Sequence, residues 1–164
     1  MGRGTAHLPA GRTYQYWLNG SALDKRPAQK LAVVACMDAR LHVPEVLALR
    51  TGDANIIRNA GGVVTEDVLR SLIVAVRLLG VRRILVINHT HCGMLRFPEA
   101  AFRRALRRVT GRDPRGIAFH GFPHLVPHLR EQVRRIRSSP FIPRTVAVKG
   151  LVFDVRNGAL REVA

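Results

Sequence analysis

Two cysteines and a histidine stand where a metal could be held: Cys36 closes the apolar run LAVVAC, and His89 and Cys92 lie three residues apart just after ILVIN. Two thiolates and an imidazole suit zinc, and three protein ligands leave a fourth position for water or another ligand. The His-x-x-Cys spacing alone says little, because only two of the ligands are local. The competing reading is two buried thiols that act as small apolar side chains. Asp38 and Arg40 bear on that choice. They follow Cys36 at alternate positions, so an extended segment could turn all three side chains the same way. An acid and a base there are poor core material. Either they form a simple salt bridge that closes a loop, or a bidentate guanidinium holds a carboxylate beside the metal. In the second case Asp38 accepts a proton from activated water or takes the fourth ligand position itself.

The charges favour a helper. Two thiolates cancel the charge of a zinc ion and neutral His89 adds none. Water there is less acidified than at a three-histidine site, where its pKa can reach about 7. Asp38 is the natural assistant, and Arg40 would keep its carboxylate ionised.

These residues need elements that bring them together. LAVVAC, residues 31–36, is short, unalternating and rich in branched side chains, as suits a strand buried on both faces. Met37 to His42 leave its end, and Pro44 fits the first turn of a helix reaching Leu49. ANIIR, residues 54–58, predicts a second strand followed by NAGG. Thr65 is a candidate N-cap for a helix whose apolar residues run from Val68 to Leu79, and Gly80 stops it. Arg83–Asn88 predicts a third strand that delivers His89 and Cys92 at its C-terminal end. Strand, helix, strand, helix, strand makes a parallel α/β sheet the economical fold, with its site at the C-terminal sheet edge.

Further along, Pro98 opens a helix to Val109, and Phe122–Arg137 is mostly helical, starting or kinking at Pro127. Thr145–Val148 and Leu151–Val155 are strand-like around an interruption at Lys149 and Gly150. Asn157-Gly158 signals a hairpin returning as an edge strand over Leu160–Val163. Tyr14–Asn19 suits a short helix.

The chain of 164 residues is long enough for one self-supporting domain, so a metal site is free to be functional. No apolar burst reaches the roughly 18 residues of a membrane span, and the N-terminus shows no apolar signal core. The expected setting is the cytoplasm, with no membrane partner. A formal charge of +16 comes almost wholly from arginine, including RRALRR and RRIR. Such charge favours polyanions or acidic membranes, but the arginines are spread over several predicted helices without a nucleic-acid motif or interleaved aromatics. Solvated faces and ion pairs are the expected use, ahead of nucleic-acid binding.

CMDAR at 36–40, RNAGG at 58–62 and HTHCGM at 89–94 resemble the three signature segments of the β-class carbonic anhydrases. The likeness to the small bacterial members covers roughly residues 30–163, through the closing FDVRNGAL. It implies one zinc ion per subunit on Cys36, His89 and Cys92, with Asp38 and Arg40 as the catalytic dyad. The implied reaction is reversible hydration of carbon dioxide to bicarbonate and a proton. It implies a mostly parallel central sheet flanked by helices, with an N-terminal helical arm and an antiparallel C-terminal edge strand. The expected organisation is one domain over 1–164, with 1–30 as a dimerisation arm and 31–164 as the α/β zinc core. A homodimer, or a homotetramer made of two such dimers, follows from the same resemblance. So does a closed state in which Asp38 rotates onto the metal.

Position 91 is histidine where many small relatives carry aspartate. His91, or His42 near the dyad, could relay protons, as imidazoles titrate near neutrality; the alternative for His91 is a supporting or merely exposed side chain. A small apolar pocket for carbon dioxide is expected among Val63, Val64, Leu95 and side chains of the partner subunit. Gly61 and Gly62 either contact substrate or permit close packing. The nearest rival activity is hydrolysis of carbonyl sulfide or carbon disulfide on the same ligand set, with access governed by residues 96–120 and the N-terminal arm. A rival of another class is an arginine-rich interaction protein with a structural zinc, and the Asp38–Arg40 pair speaks against it.

Overall fold

The computed structural model of the protein describes residues 24–164. The expected helix over Tyr14–Asn19 and most of the expected arm lie outside that range. Along the described chain come β1 (Leu31–Cys36), α1 (Val43–Val46), β2 (Ala54–Asn59), α2 (Glu66–Arg77), β3 (Arg83–His89), α3 (Glu99–Thr110), α4 (Leu125–Arg137), β4 (Ala147–Phe153) and β5 (Leu160–Glu162). They build a sheet in the order β2-β1-β3-β4-β5. The neighbours β2, β1, β3 and β4 are parallel, and β5 returns antiparallel on β4. The expected mostly parallel sheet with an antiparallel edge is therefore present.

Every residue of β1 is buried, which is why its run is continuously apolar rather than alternating. On one face Ala32, Val34, Ile84 and Val86 pack under α2 and α4. Leu31, Val33, Ala35 and Ile87 belong to a second cluster with Leu41, Val43 and Phe122. Thr65 caps α2 by accepting a hydrogen bond from the Val68 amide. Glu66 and Asp67 follow in the first turn, where the helix dipole favours them.

Three local expectations change. Helix α1 stops at Val46 instead of Leu49: Ala48 turns left-handed (φ 50°), and the Leu49 amide reaches back to the Pro44 carbonyl at 2.7 Å. This is a Schellman-like termination that needs no glycine. Helix α4 begins at Leu125, so Pro127 lies in its first turn, where an N–H has no intrahelical partner to lose. Strand β4 runs unbroken through Lys149 and Gly150. A Cβ at Gly150 would stand 3.0–3.1 Å from Val133, Leu129 and Ala164. The glycine lets α4 pack close to the strand and does not interrupt it.

The chain leaves β1 toward β2 on one side and reaches β3 on the other. The C-terminal ends of β1 and β3 thus flank the crevice at which an open α/β sheet builds sites.

Candidate metal centre and active site

Cys36 is the last residue of β1 and His89 the last of β3, on neighbouring strands. After His89 the chain turns sharply through His91, which is left-handed at φ 54°, and brings Cys92 back. The three are buried, and their donor atoms all lie within 4.8 Å of one another. The two sulfurs are 3.9 Å apart.

His89 Nδ1 lies 2.8 Å from the Thr90 carbonyl, which fixes the proton on Nδ1 and leaves the Nε2 lone pair unprotonated. Nε2 is buried and has no hydrogen-bond partner among the described residues. A buried imidazole nitrogen without a partner, facing two thiols, is the arrangement a metal satisfies. Proton energetics agree. The Cys36 thiol is drawn down to about 4, chiefly by its hydrogen bond with Cys92 and against burial. Cys92 is pushed up by the same bond and by burial. Burial opposes charge on His89, but the negative charge at Cys36 and Asp38 outweighs it and raises the imidazole. A thiol pair that readily yields one proton is well prepared to yield both to a cation.

Asp38 and Arg40 stand at the mouth of this cluster. Arg40 Nε donates to Asp38 Oδ1 at 2.9 Å, Arg40 Nη2 to Oδ2 at 2.8 Å, and the Arg40 amide to Oδ1 at 3.0 Å. This fork holds the Asp38 carboxyl well below the usual carboxylate range. Arg40 Nη2 also donates to the His91 carbonyl at 3.1 Å, tying the dyad to the turn that presents Cys92. Asp38 Oδ2 comes within 3.7 Å of His89 Nε2.

The other expected residues fall differently. His91 is exposed and meets the dyad through its carbonyl. His42 is exposed beside Glu45, with its Nδ1 3.4 Å from Oε2. No hydrogen bond joins His42 to Asp38 or Arg40 among the described residues. A Cβ on Gly61 would stand 3.2–3.3 Å from Met94 and Phe122, and one on Gly62 only 2.8 Å from Asn88 Nδ2 and 3.0 Å from the Cys36 amide. Both glycines are left-handed. Close packing accounts for each. Val63 is buried, Leu95 packs with the cluster around Cys36 and Cys92, and Val64 belongs to the core beneath α2 and α4.

Several supporting residues had no role in the sequence reading. Arg58, from the RNAGG segment, donates to the Cys36 carbonyl at 2.9 Å and the Asp38 carbonyl at 2.7 Å, clamping the ligand and the dyad from β2. Asn88, a buried polar residue inside an apolar strand, donates to the Gly61 carbonyl at 2.7 Å. Thr90 Oγ1 donates to Asp154 Oδ1 at 3.1 Å and accepts from the Val155 amide at 3.2 Å. The chain behind His89 is thereby pinned to the end of β4. Arginine in a strand and asparagine in an apolar run were the available signals for the first two; Asp154 gave none.

The family model for carbonic anhydrase matches residues 31–109. Beta-carbonic anhydrase 1 of Mycobacterium tuberculosis is 46% identical over 137 residues, covering 84% of this chain and 83% of the relative. The chain belongs to the β-carbonic anhydrases. Membership identifies an enzyme of the lyase class, and the Cys36, His89 and Cys92 cluster is a group that could hold a metal ion. A carbonic anhydrase structure from Streptococcus mutans superposes with a TM-score of 0.83 at 41% identity, covering 90% of this chain and 89% of the other. A carbon disulfide hydrolase of Acidithiobacillus thiooxidans is also similar, 33% identical over 159 residues and covering 81% of this chain and 76% of its own.

Proposed function

We propose that the enzyme holds one zinc ion per subunit on Cys36, His89 and Cys92, and catalyses the reversible hydration of carbon dioxide to bicarbonate and a proton. The observation that carries this reading is the Asp38–Arg40 fork beside a buried, partnerless His89 Nε2. A closed structural site has no use for an ionised carboxylate at its mouth. When bound, zinc supplies a Lewis acid that acidifies water at its open position.

The chain's own groups do the rest. Asp38, kept ionised by Arg40, accepts a hydrogen bond from the attacking water and turns an oxygen lone pair toward the carbon of carbon dioxide. The proton released passes to solvent buffer, with exposed His91 or His42 as candidate relays. Arg58 keeps Asp38 and Cys36 in register by binding both of their carbonyls. Met94 and Leu95, partly buried against the cluster that contains Cys36 and Cys92, offer apolar surface suited to a substrate with almost nothing polar to grip. Closure by Asp38 as a fourth ligand would require it to surrender both side-chain bonds from Arg40, so the intact fork corresponds to an open site. We also infer a homodimer, or a pair of dimers; edge strand β2, which pairs on one side only among the described residues, and its exposed Ile56 support it. Sedimentation velocity tests that assignment.

Stopped-flow assay of the zinc-loaded protein between about pH 6.5 and 9 tests the function, since zinc-activated water titrates in this region. Hydration of carbon dioxide rising with pH is the expected result. Absence of hydration together with turnover of carbon disulfide would transfer the enzyme to the activity named for its Acidithiobacillus relative.

A further inference from the structure

Helix α3 buries none of its residues, whereas α2 buries Val68, Leu72, Ala75 and Val76, and α4 buries Leu129, Gln132, Val133 and Ile136. Yet α3 is patterned as strongly as either. Phe102, Ala105, Leu106 and Val109 recur at helical spacing, and Arg103, Arg104, Arg107 and Arg108 fill the positions between them. Phe102 is 38% exposed, Val109 81%, and Ile117 in the segment after the helix 52%.

The helix rides on an excursion of the chain, residues 96–121, whose base is a bridge between Leu95 and Phe122. There the Arg96 amide donates to the Phe122 carbonyl at 2.7 Å and the Phe122 amide to the Met94 carbonyl at 3.0 Å. Within the excursion Phe97, Phe102 and Phe119 form their own aromatic cluster, with ring centroids 5.1–6.1 Å apart. Arg103 lies over Phe119 at 4.9 Å.

Charge decides what this face fits. The excursion has two acids: Glu99 pairs with Arg103, and Asp113 with Arg115. Arg104, Arg107, Arg108 and Arg112 make no ion pair among the described residues. Four arginines left without an acidic partner suit an anionic occupant. A nucleic-acid backbone would use the arginines but not Val109 and Ile117. A surface with phosphates outside and hydrocarbon within uses both, as amphipathic helices at bilayer interfaces do. We propose that α3, with Ile117, docks the enzyme on an anionic lipid surface, its arginines at the headgroup phosphates and Phe102, Val109 and Ile117 at the acyl boundary. The sequence expectation of no membrane partner rested on the lack of a spanning run, and a helix lying in the interface needs none.

The test is sedimentation of the full-length, zinc-loaded protein with phosphatidylcholine vesicles, with and without about one-third phosphatidylserine. Binding to the anionic vesicles only is expected. A cationic residue near such a surface contributes about 1 kcal/mol, roughly fivefold in partitioning. Replacing Arg104, Arg107 and Arg108 together by Gln should therefore lower binding about a hundredfold. Val109→Ser should lower it several-fold. The same charge reduction elsewhere, in Arg50→Gln/Arg144→Gln/Arg161→Gln, should cost far less than the α3 triple. Folding of each variant is checked by circular dichroism and zinc content. The proposal is overturned by failure to bind anionic vesicles, by equal loss in the two triple variants, or by wild-type binding of Val109→Ser with full displacement by a DNA duplex. The last outcome would mark a general polyanion surface.

Discussion

Replacing Gly62 by alanine tests whether the ligand geometry depends on close packing behind it. The added Cβ would lie 2.8 Å from Asn88 Nδ2, 3.0 Å from the Cys36 amide and 3.1 Å from the Ala35 carbonyl carbon, on a backbone at φ +61°. The left-handed conformation costs a non-glycine residue about 1–2 kcal/mol, and forcing a methyl into packed surroundings about 1–3 kcal/mol. Together they amount to roughly 2–5 kcal/mol, or a melting temperature lower by about 5–15 °C for a chain of this size. The obstructing atoms are backbone of the strand that ends in Cys36 and a side chain adjacent to His89, so relaxation must move ligands. Zinc affinity should fall about tenfold or more. Gly80→Ala is the comparison: its φ is +75°, but nothing lies within 4 Å of the new methyl, so only the backbone cost applies. Calorimetry of both variants, with chelator competition for zinc, decides the matter. A Gly62→Ala protein that melts no lower than Gly80→Ala and holds zinc equally well would refute this reasoning.

Further outcomes follow from the same geometry. Wild-type protein should bind one zinc per chain by elemental analysis, and Cys36→Ser or Cys92→Ser should lose it and become less stable, because binding the folded state alone stabilises it. Asp38→Asn should retain zinc but lower kcat/KM for carbon dioxide about a hundredfold, measured by stopped flow; equal loss of zinc would show a structural role instead. Asp154→Asn weakens the anchor of Thr90 behind His89, and zinc affinity by chelator competition should drop about tenfold. His128, half-buried and stacked on Phe122 at 3.9 Å, is held down to about 4, first by burial and then by the charge of His120. The unfolded chain, with imidazole near about 6.5, therefore takes up this proton first. The contribution is full above about 6.5 and is lost as pH falls toward about 4, about 1–2 kcal/mol allowing for partial exposure. His128→Gln should flatten the slope of urea midpoints across that window.

That Cys36, His89, Cys92 and Asp38 would come together was legible because cysteine, histidine and aspartate at strand ends carry chemistry in their residue types, and because buried parallel strands announce themselves as unbroken apolar runs. Arg58, Asn88 and Asp154 were not legible in the same way. Each acts by a hydrogen bond to a backbone or hydroxyl group brought near only by the sheet, and such a contact leaves no spacing to detect. Gly150 misled for a related reason: a glycine that admits a neighbouring helix is indistinguishable in one dimension from a glycine that breaks a strand. Helix α3 could be located from its period, but periodicity says that a face is apolar and not that anything covers it.

The excursion over residues 96–121 leaves and rejoins the body of the protein at Leu95 and Phe122, which are paired with each other. No strand register passes through it, and lengthening a loop whose ends are already fixed adds conformational cost only slowly. The segment is in effect a cassette. It can be exchanged, extended or trimmed while Cys36, His89 and Cys92 keep their places on strands that never sense the change. The exposed face carried by α3 is thus free to diversify apart from the strand ends that bring Cys36, His89 and Cys92 together.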